Sequence, residues 1–234
     1  MTPAAKNPLT LRHPERKLLT MSGKPNGDRR SVRRQETQRD IVRASWEAVR
    51  EHGLAALSMR DLGERVGMRA QSIYSYFASK HEIYDAMFLE GYQAFTDWMD
   101  AAVDDDAIAA DPLDAAKVAA RAFVEFCTSD PVRYQLLFQR TIPDFTPSAE
   151  SYAVAVRVYQ QLGRRLAAVG VHDQATLDLW TAVLTGITDQ QISNDPGGVR
   201  WTGLVDRAVD MLTTEPRTRT STTDTTESEK ACPP

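Results

Sequence analysis

The stretch from Ser58 to Lys80 reads SMRDLGERVGMRAQSIYSYFASK, and the fold prediction depends on it. Ser58 and Asp61 have the spacing of a capping box, which predicts a short helix that ends near Gly67. A second short helix is predicted over residues 70–76. Two short helices joined by a turn that contains glycine are typical of a helix-turn-helix.

The second of these short helices carries side chains that can donate hydrogen bonds. They are Gln71, Ser72, Tyr74, Ser75 and Tyr76. Positive charge is supplied around them by Arg60, Arg69 and Lys80. Base edges and phosphate oxygens of DNA accept hydrogen bonds from such groups, so the pattern favours a helix that reads the major groove. Leu62, Val66, Ile73 and Phe77 are predicted to pack in a core instead.

Apolar residues also recur at helical spacing on both sides of this stretch, and no alternating run of β-branched residues is flanked by hairpin turns. The sequence therefore predicts an all-α fold. A helix is expected over residues 35–52, and another from Lys80 towards Met99 with Ser79 as its N-cap. Further helices are expected after three dipeptides that place proline in a first turn, and over residues 173–193 and 199–212. The dipeptides are Asp111-Pro112, Asp130-Pro131 and Thr146-Pro147.

The two ends of the chain differ in composition from the middle. Residues 1–34 are rich in Pro, Gly, Ser and Arg, and residues 213–234 in Thr, Ser and Pro, so both are predicted to be disordered. Between them we expect a helix-turn-helix domain over 35–80 and a helical regulatory domain over 81–212. The basic arm at Arg29–Arg34 has two interpretations, a solvated tail or an extension that seeks phosphates and the minor groove.

Charge is divided unevenly along the 234 residues, although the net charge is only −4. Residues 1–80 hold 16 Lys and Arg against 8 Asp and Glu, whereas residues 81–234 hold 12 against 24. A basic front part concentrates positive potential where the phosphates of a nucleic acid could be met. This division favours a DNA-binding module that is followed by an acidic second part.

Other classes of protein find little support in the sequence. The only cysteines are Cys127 and Cys232, too few for a disulfide framework or a metal cluster, and no apolar run approaches membrane-spanning length. The four histidines are scattered, and no catalytic or nucleotide-binding motif is present. We therefore expect a cytoplasmic protein that is not an enzyme and that uses no cofactor, metal or membrane.

With its continuation to Ile83, the quoted stretch resembles the signature of the tetracycline-repressor (TetR) family of bacterial transcription regulators. The resemblance covers residues 37–88. It is carried by eight residues together: Arg60, Leu62, Gly67, Ile73, Tyr74, Tyr76, Phe77 and Lys80. Three positions depart from the family pattern, where Arg69 replaces a small capping hydroxyl, Gln71 replaces Gly or Pro, and Gly63 replaces Ala.

Carried over by position, the resemblance implies three sets of DNA contacts. Ser58 and Arg60 approach the DNA from the first short helix. Phosphates are met by Ser72, Tyr76 and Lys80. The residues that face the groove are Arg69, Ala70, Gln71, Tyr74 and Ser75.

The resemblance also implies a regulatory domain that dimerises through its last two long helices and encloses an effector pocket. Aromatic residues on the later helices could line this pocket beside polar groups such as Gln139, Thr185 or Thr188. The candidates are Tyr92, Phe126, Phe138 and Trp180. The expected function is that of a homodimeric repressor which a small apolar effector releases from a palindromic DNA operator. The alternatives are an activator or ligand-independent regulator of the same fold, and a helical protein-binding module without DNA binding.

Overall fold

The computed structural model of the chain describes residues 26–214, with side chains from residue 29 onward, and every regular element in that range is a helix. The all-α prediction is therefore confirmed. The helices are α1 (Asn26–His52), α2 (Met59–Arg65), α3 (Ala70–Ile73), α4 (Lys80–Ala102), α5 (Asp105–Ala110), α6 (Pro112–Ser129), α7 (Pro131–Phe138), α8 (Ala149–Ala167), α9 (Gln174–Asn194) and α10 (Val205–Thr214). Single 3-10 turns lie at Leu54–Ala56 and Thr202–Leu204.

Residues from Asp40 onward form one compact unit, and the described residues before it form a unit of their own. None of the helices within residues 26–214 is both long enough and apolar enough to cross a bilayer.

The first hydrophobic core lies under the short helices. Four residues are fully buried there: Ile41 and Val49 of α1, Leu62 of α2 and Ile73 of α3. Phe77, which follows α3, is also buried in this core. The same core also contains Ile83, Tyr84 and Met87 of α4 and Leu136 of α7. The core of the helix-turn-helix thus extends past the predicted boundary at residue 80, because the first turns of α4 supply part of its apolar surface.

Helix α4 joins this core to the rest of the chain and packs against α6, α7 and α8. Its N-cap is Ser79, whose hydroxyl accepts from the Glu82 amide, as predicted. Its later turns bury Phe88, Tyr92 and Phe95 in a second core with α6 and α7.

A third core joins α6, α8, α9 and α10. Val124, Leu166, Trp180 and Val209 are buried in it. Two ion pairs hold α10 against α6, from Lys117 to Asp210 at 2.6 Å and from Arg121 to Asp206 at 2.5 Å.

Two of the three proline dipeptides begin helices as predicted. Asp111 and Asp130 cap α6 and α7, and each carboxylate accepts from the backbone amide three residues later. The third prediction is displaced, because Ser148 rather than Thr146 caps α8 and Pro147 lies before the cap. Likewise α10 begins only at Val205, since a turn and a 3-10 helix occupy the residues before it.

The start of α1 differs most from the sequence prediction. The helix begins at Asn26 rather than Gln35, so Arg29–Arg34, assigned to a disordered arm, lie in a helix. Extending a formed helix by residues with good propensity, such as Arg, Gln and Glu, costs much less than starting a new one. The remainder of the predicted arm, residues 1–25, and residues 215–234 of the predicted tail lie outside the described residues; Thr213 and Thr214 belong to α10.

Candidate nucleic-acid interface and ligand cavity

The turn between α2 and α3 is fixed by two glycines. Gly67 has a φ of +68°, which a residue with a side chain adopts only with strain. The Met68 amide donates to the Gly63 carbonyl at 2.7 Å. A Cβ atom on Gly63 would lie 2.7 Å from the Met68 carbonyl oxygen and 3.0 Å from the Ala70 nitrogen. Glycine at this position lets α2 approach the start of α3 closely, which accounts for its departure from the alanine of the family pattern.

The predicted capping box is wrong in one respect. Ser58 occupies the N-cap position of α2, but its side chain makes no capping hydrogen bond. Arg69 at the N-cap of α3 also makes none. Neither side chain is therefore committed to its helix start.

Helix α3 separates a buried side from an exposed one. Ile73 and, in the following turn, Phe77 point into the core. Arg69, Gln71, Tyr74 and Ser75 are exposed, and Tyr74 has 47% of its surface accessible. Ala70 is half-buried. The structure thus brings four of the five residues expected to face the groove onto the exposed side, although the helix itself ends at Ile73 and a turn continues to Tyr76.

The residues expected to meet phosphates surround this exposed side. Ser72 and Tyr76 are half-buried, and Tyr76 packs against the first core. Lys80 is exposed, and its ammonium donates to the Leu57 carbonyl at 3.0 Å. Arg60 is exposed and pairs with Glu64 on the next turn of α2 at 3.1 Å. An exposed pair of this kind is weak, so Arg60 can exchange Glu64 for another anion.

Arg65 has a different environment. It joins α2 to α1 through Glu51 at 2.6 Å and pairs with Asp61 at 2.9 Å. Hydrogen bonds to these two carboxylates raise the pKa of its guanidinium. Arg50 of α1 is likewise paired, with Asp130 of the α7 cap at 2.8 Å.

A cavity of about 180 Å³ lies among α4, α5, α6, α8 and α9. Three of the four predicted pocket residues line it: Tyr92, Phe138 and Trp180. Phe126 does not. Its ring packs 5.0 Å from that of Phe95, with the Arg133 guanidinium 3.7 Å from its centroid, while Phe123 one turn earlier lines the cavity.

Of the three polar candidates for the cavity, Thr185 alone lines it. The Gln139 amide donates a hydrogen bond to Asp189 at 2.8 Å. Thr188 is buried, and its hydroxyl donates to the Leu184 carbonyl. Sequence reasoning also missed four alanines of α6 that line the cavity, Ala115, Ala116, Ala119 and Ala120. Their helical spacing in one apolar stripe was the available signal.

Asp85 is a further residue that the sequence did not reveal. From α4 its carboxylate accepts from the Ser148 amide at 2.7 Å and from the hydroxyls of Ser148 and Ser151 at 2.9 Å each. Ser151 is 2% exposed. This cluster, which we call the Asp85 latch, joins α4 to the first turn of α8. Later turns of α8 line the cavity.

The comparisons with known proteins agree with this geometry. Residues 41–87 match the sequence profile of the bacterial regulatory proteins of the tetR family. Over 133 residues the chain is 30% identical to the HTH-type transcriptional regulator Rv1816 of Mycobacterium tuberculosis. That match covers 56% of each protein, so the chain spans little more than half the length of this relative.

Two solved structures share the fold over most of the chain. Regulatory protein SCO4313 has a TM-score of 0.63 at 20% identity and covers 78% of this chain and 97% of its own. The fatty acid degradation regulator FadR from Bacillus halodurans has a TM-score of 0.59 at 16% identity, covering 77% and 96%. The matched profile therefore identifies residues 41–87 as similar to the helix-turn-helix region of the tetR-type bacterial regulatory proteins, and the solved structures show that the chain shares their all-helical fold.

Proposed function

We propose that the chain is a sequence-specific DNA-binding transcriptional regulator, a repressor that a small apolar molecule releases from a palindromic operator in the cytoplasm. The observation that carries this proposal is the exposed side of α3. Helix α3 carries Gln71 on its exposed side, and Arg69 and Tyr74, which flank the helix, are exposed beside it. None of these three side chains belongs to the hydrophobic core beneath the helix. The relative Rv1816 is itself named a transcriptional regulator, which supports the same function.

The chemistry of this exposed side suits the major groove. A guanidinium can donate two hydrogen bonds to guanine, and a carboxamide can pair with adenine, so Arg69 and Gln71 are the candidates for base recognition. Ser72, Tyr76 and Lys80 would bind phosphates, which position the helix without reading sequence. Ser58 and Arg60 of α2 would add contacts to the neighbouring backbone.

A homodimer is supported by an apolar groove between α9 and α10. The groove is lined by residues that include Val183, Gly186, Ile187, Leu204 and Met211. Leu184 and Val205 on the same two helices are buried in the third core and do not line the groove. Two copies that join across this face would carry two recognition helices, and a palindromic site spaces its half-sites by about 34–36 Å.

Effector control would act through α4. This helix contributes to both the helix-turn-helix core and the cavity, so a ligand that favours another tilt of α4 would change the distance between the two recognition helices. An effector releases DNA only if it binds the DNA-incompetent arrangement more tightly. By reciprocity, operator must weaken effector binding by the same factor.

The test is a gel shift of the full chain on the DNA upstream of its own gene, with Gln71→Ala and, as a matched control on the exposed side of α4, Gln93→Ala. We expect the native chain and Gln93→Ala to retard the DNA equally and Gln71→Ala to lose sequence preference. If the native chain shows no preference for any DNA sequence, the alternative function, a helical protein-binding module, is favoured. A reporter gene that loses expression when the chain is deleted would identify an activator.

A further inference from the structure

The lining of the cavity carries information about its ligand, an inference that rests on the proposed effector-binding function. One part of the lining is aromatic, formed by rings that meet nearly at right angles. Phe95 makes angles of 88° with Tyr92, 85° with Phe123 and 77° with Phe138. Rings in this arrangement present both edges and faces, with which a further ring can pair favourably. On α6 the small side chains of the four alanines leave the space that such a ring could fill.

The hydroxyl groups of the lining are already engaged. Thr96, Thr181 and Thr185 each donate to a carbonyl of their own helix, at 2.9, 2.9 and 2.8 Å. Tyr92 donates to the Leu137 carbonyl at 3.2 Å, and burial raises the pKa of its phenol. Gln161 differs from these groups, since its half-buried amide has no hydrogen-bond partner among the described residues.

Charge is nearly absent from the lining. Arg165 is the one charged residue among the described residues that line the cavity. Its guanidinium is paired with Asp100 at 3.0 Å. A ligand charge placed among the aromatic rings and alanines would lose its hydration without gaining an unpaired partner, which is strongly unfavourable.

We infer that the cavity takes a neutral molecule with one aromatic ring, a short apolar substituent and a single uncharged polar group that pairs with the Gln161 amide. An apolar cavity of roughly 150 Å³ is known to accept benzene, so about 180 Å³ fits a ring with one or two small substituents.

The test uses four probes that share one ring and one methyl group: toluene, p-cresol, p-toluate and 4-methylbenzylamine. Titration calorimetry of each into the full chain at pH 7 gives the affinities. We expect p-cresol to bind about tenfold more tightly than toluene, which corresponds to one good hydrogen bond, and both ions to bind more weakly than toluene.

Three variants locate the binding. Gln161→Leu should lower the affinity for p-cresol about tenfold and leave toluene unchanged. Ala119→Leu fills the cavity and should abolish binding of both, whereas Ala175→Leu, at an exposed site of α9, should change neither. Thermal unfolding shows whether each variant is folded, and a folded Gln161→Leu that binds p-cresol like the native chain overturns the inference.

The outcomes separate this inference from the proposed function. If p-toluate binds most tightly, Arg165 exchanges Asp100 for a ligand carboxylate and the ligand is an acid. If no probe binds at millimolar concentration while the native chain retards its DNA, the neutral-ring inference is wrong and the regulator stands. If the probes bind as expected but the chain prefers no DNA, the proposed function fails and the cavity assignment stands.

Discussion

Gly63 shows how a single missing Cβ atom sets the approach of α2 to α3. The nearest neighbours of an added methyl group are backbone atoms of the turn, which cannot rotate away as a side chain can. Gly63→Ala should therefore lower the free energy of unfolding by about 1–3 kcal/mol, as overpacking does, and weaken DNA binding by moving α3. Thermal unfolding and gel shift measure the two effects.

The control is Gly163→Ala in α8, where an added methyl group would meet only Leu177 at 3.9 Å. Alanine is a better helix former than glycine, so this variant should be more stable by about 0.5–1 kcal/mol. A Gly63→Ala protein as stable as the native chain would show that α2 and α3 need no such close approach.

Lys80 and Gln71 are proposed to make two different kinds of DNA contact, one to phosphate and one to a base. Lys80→Ala should weaken binding to all DNA sequences about equally and lower the slope of log K against log salt by about one, because one phosphate contact is lost. Gln71→Ala should change affinity in a sequence-dependent way and leave the slope unchanged. Binding titrations at several salt concentrations on two DNA sequences measure both.

Because the Lys80 ammonium also donates to the Leu57 carbonyl, unfolding must be followed in parallel. If the Lys80→Ala protein is stable and keeps both the DNA affinity and the salt slope of the native chain, Lys80 does not contact the DNA backbone.

Sequence could predict which side chains around α3 are exposed better than which side chains line the cavity. Gln71 and Phe77 are six residues apart on one short segment, so helical periodicity alone separates an exposed side chain from a buried one. Phe126 and Phe123 are both apolar and lie on adjoining faces of α6, and which of them meets the cavity depends on how α7 and Arg133 pack. No local pattern encodes that choice.

Helix starts could likewise be predicted from sequence, whereas contacts between helices could not. Ser79 caps α4 as predicted, and the two Asp-Pro dipeptides begin helices as predicted, since a helix start depends on residues a few positions apart in sequence. The Asp85 latch was invisible because Asp85 and Ser148 lie 63 residues apart along the chain. A long-range contact of this kind also makes two helices move together.

We therefore expect the Asp85 latch to affect how ligand binding changes DNA binding. Asp85→Asn removes the charge that accepts three hydrogen bonds at the start of α8, which should lower the free energy of unfolding by about 1–3 kcal/mol. It should also speed hydrogen exchange in the first turn of α8. If α8 transmits ligand binding to α4 through this cluster, p-cresol should still bind to the Asp85→Asn protein. It should, however, release less of that protein from operator DNA than it releases of the native chain.

Asp97→Asn, on an exposed face of the same helix, is the matched control. The ratio of p-cresol affinities without and with operator measures the coupling, and we expect it to approach one for Asp85→Asn alone. A ratio equal to that of the native chain would place the coupling in other contacts of α4.

The proposed assembly of two chains would use the groove between α9 and α10, where Met211 is 64% exposed in the single chain. An exposed methionine in an apolar groove would be buried by a partner, and two-fold symmetry buries it twice. Full burial of one such side chain is worth about 1.5–3 kcal/mol, and a partner could cover about two thirds of Met211, so Met211→Asp should weaken dimerisation by at least about 2–4 kcal/mol in total. The fold of each chain should survive, because Met211 lies outside the third core.

Sedimentation velocity of the full chain measures this, with Leu179→Asp as the control. Leu179 lies on α9 and is 48% exposed, but it lies outside the groove. We expect the control to remain dimeric at micromolar concentration, and Met211→Asp to become monomeric and to lose preference for a palindromic site over its single half-site. Since the two recognition helices bind as a pair only when the chains are joined, a Met211→Asp dimer with native operator affinity would require the chains to pair through another face.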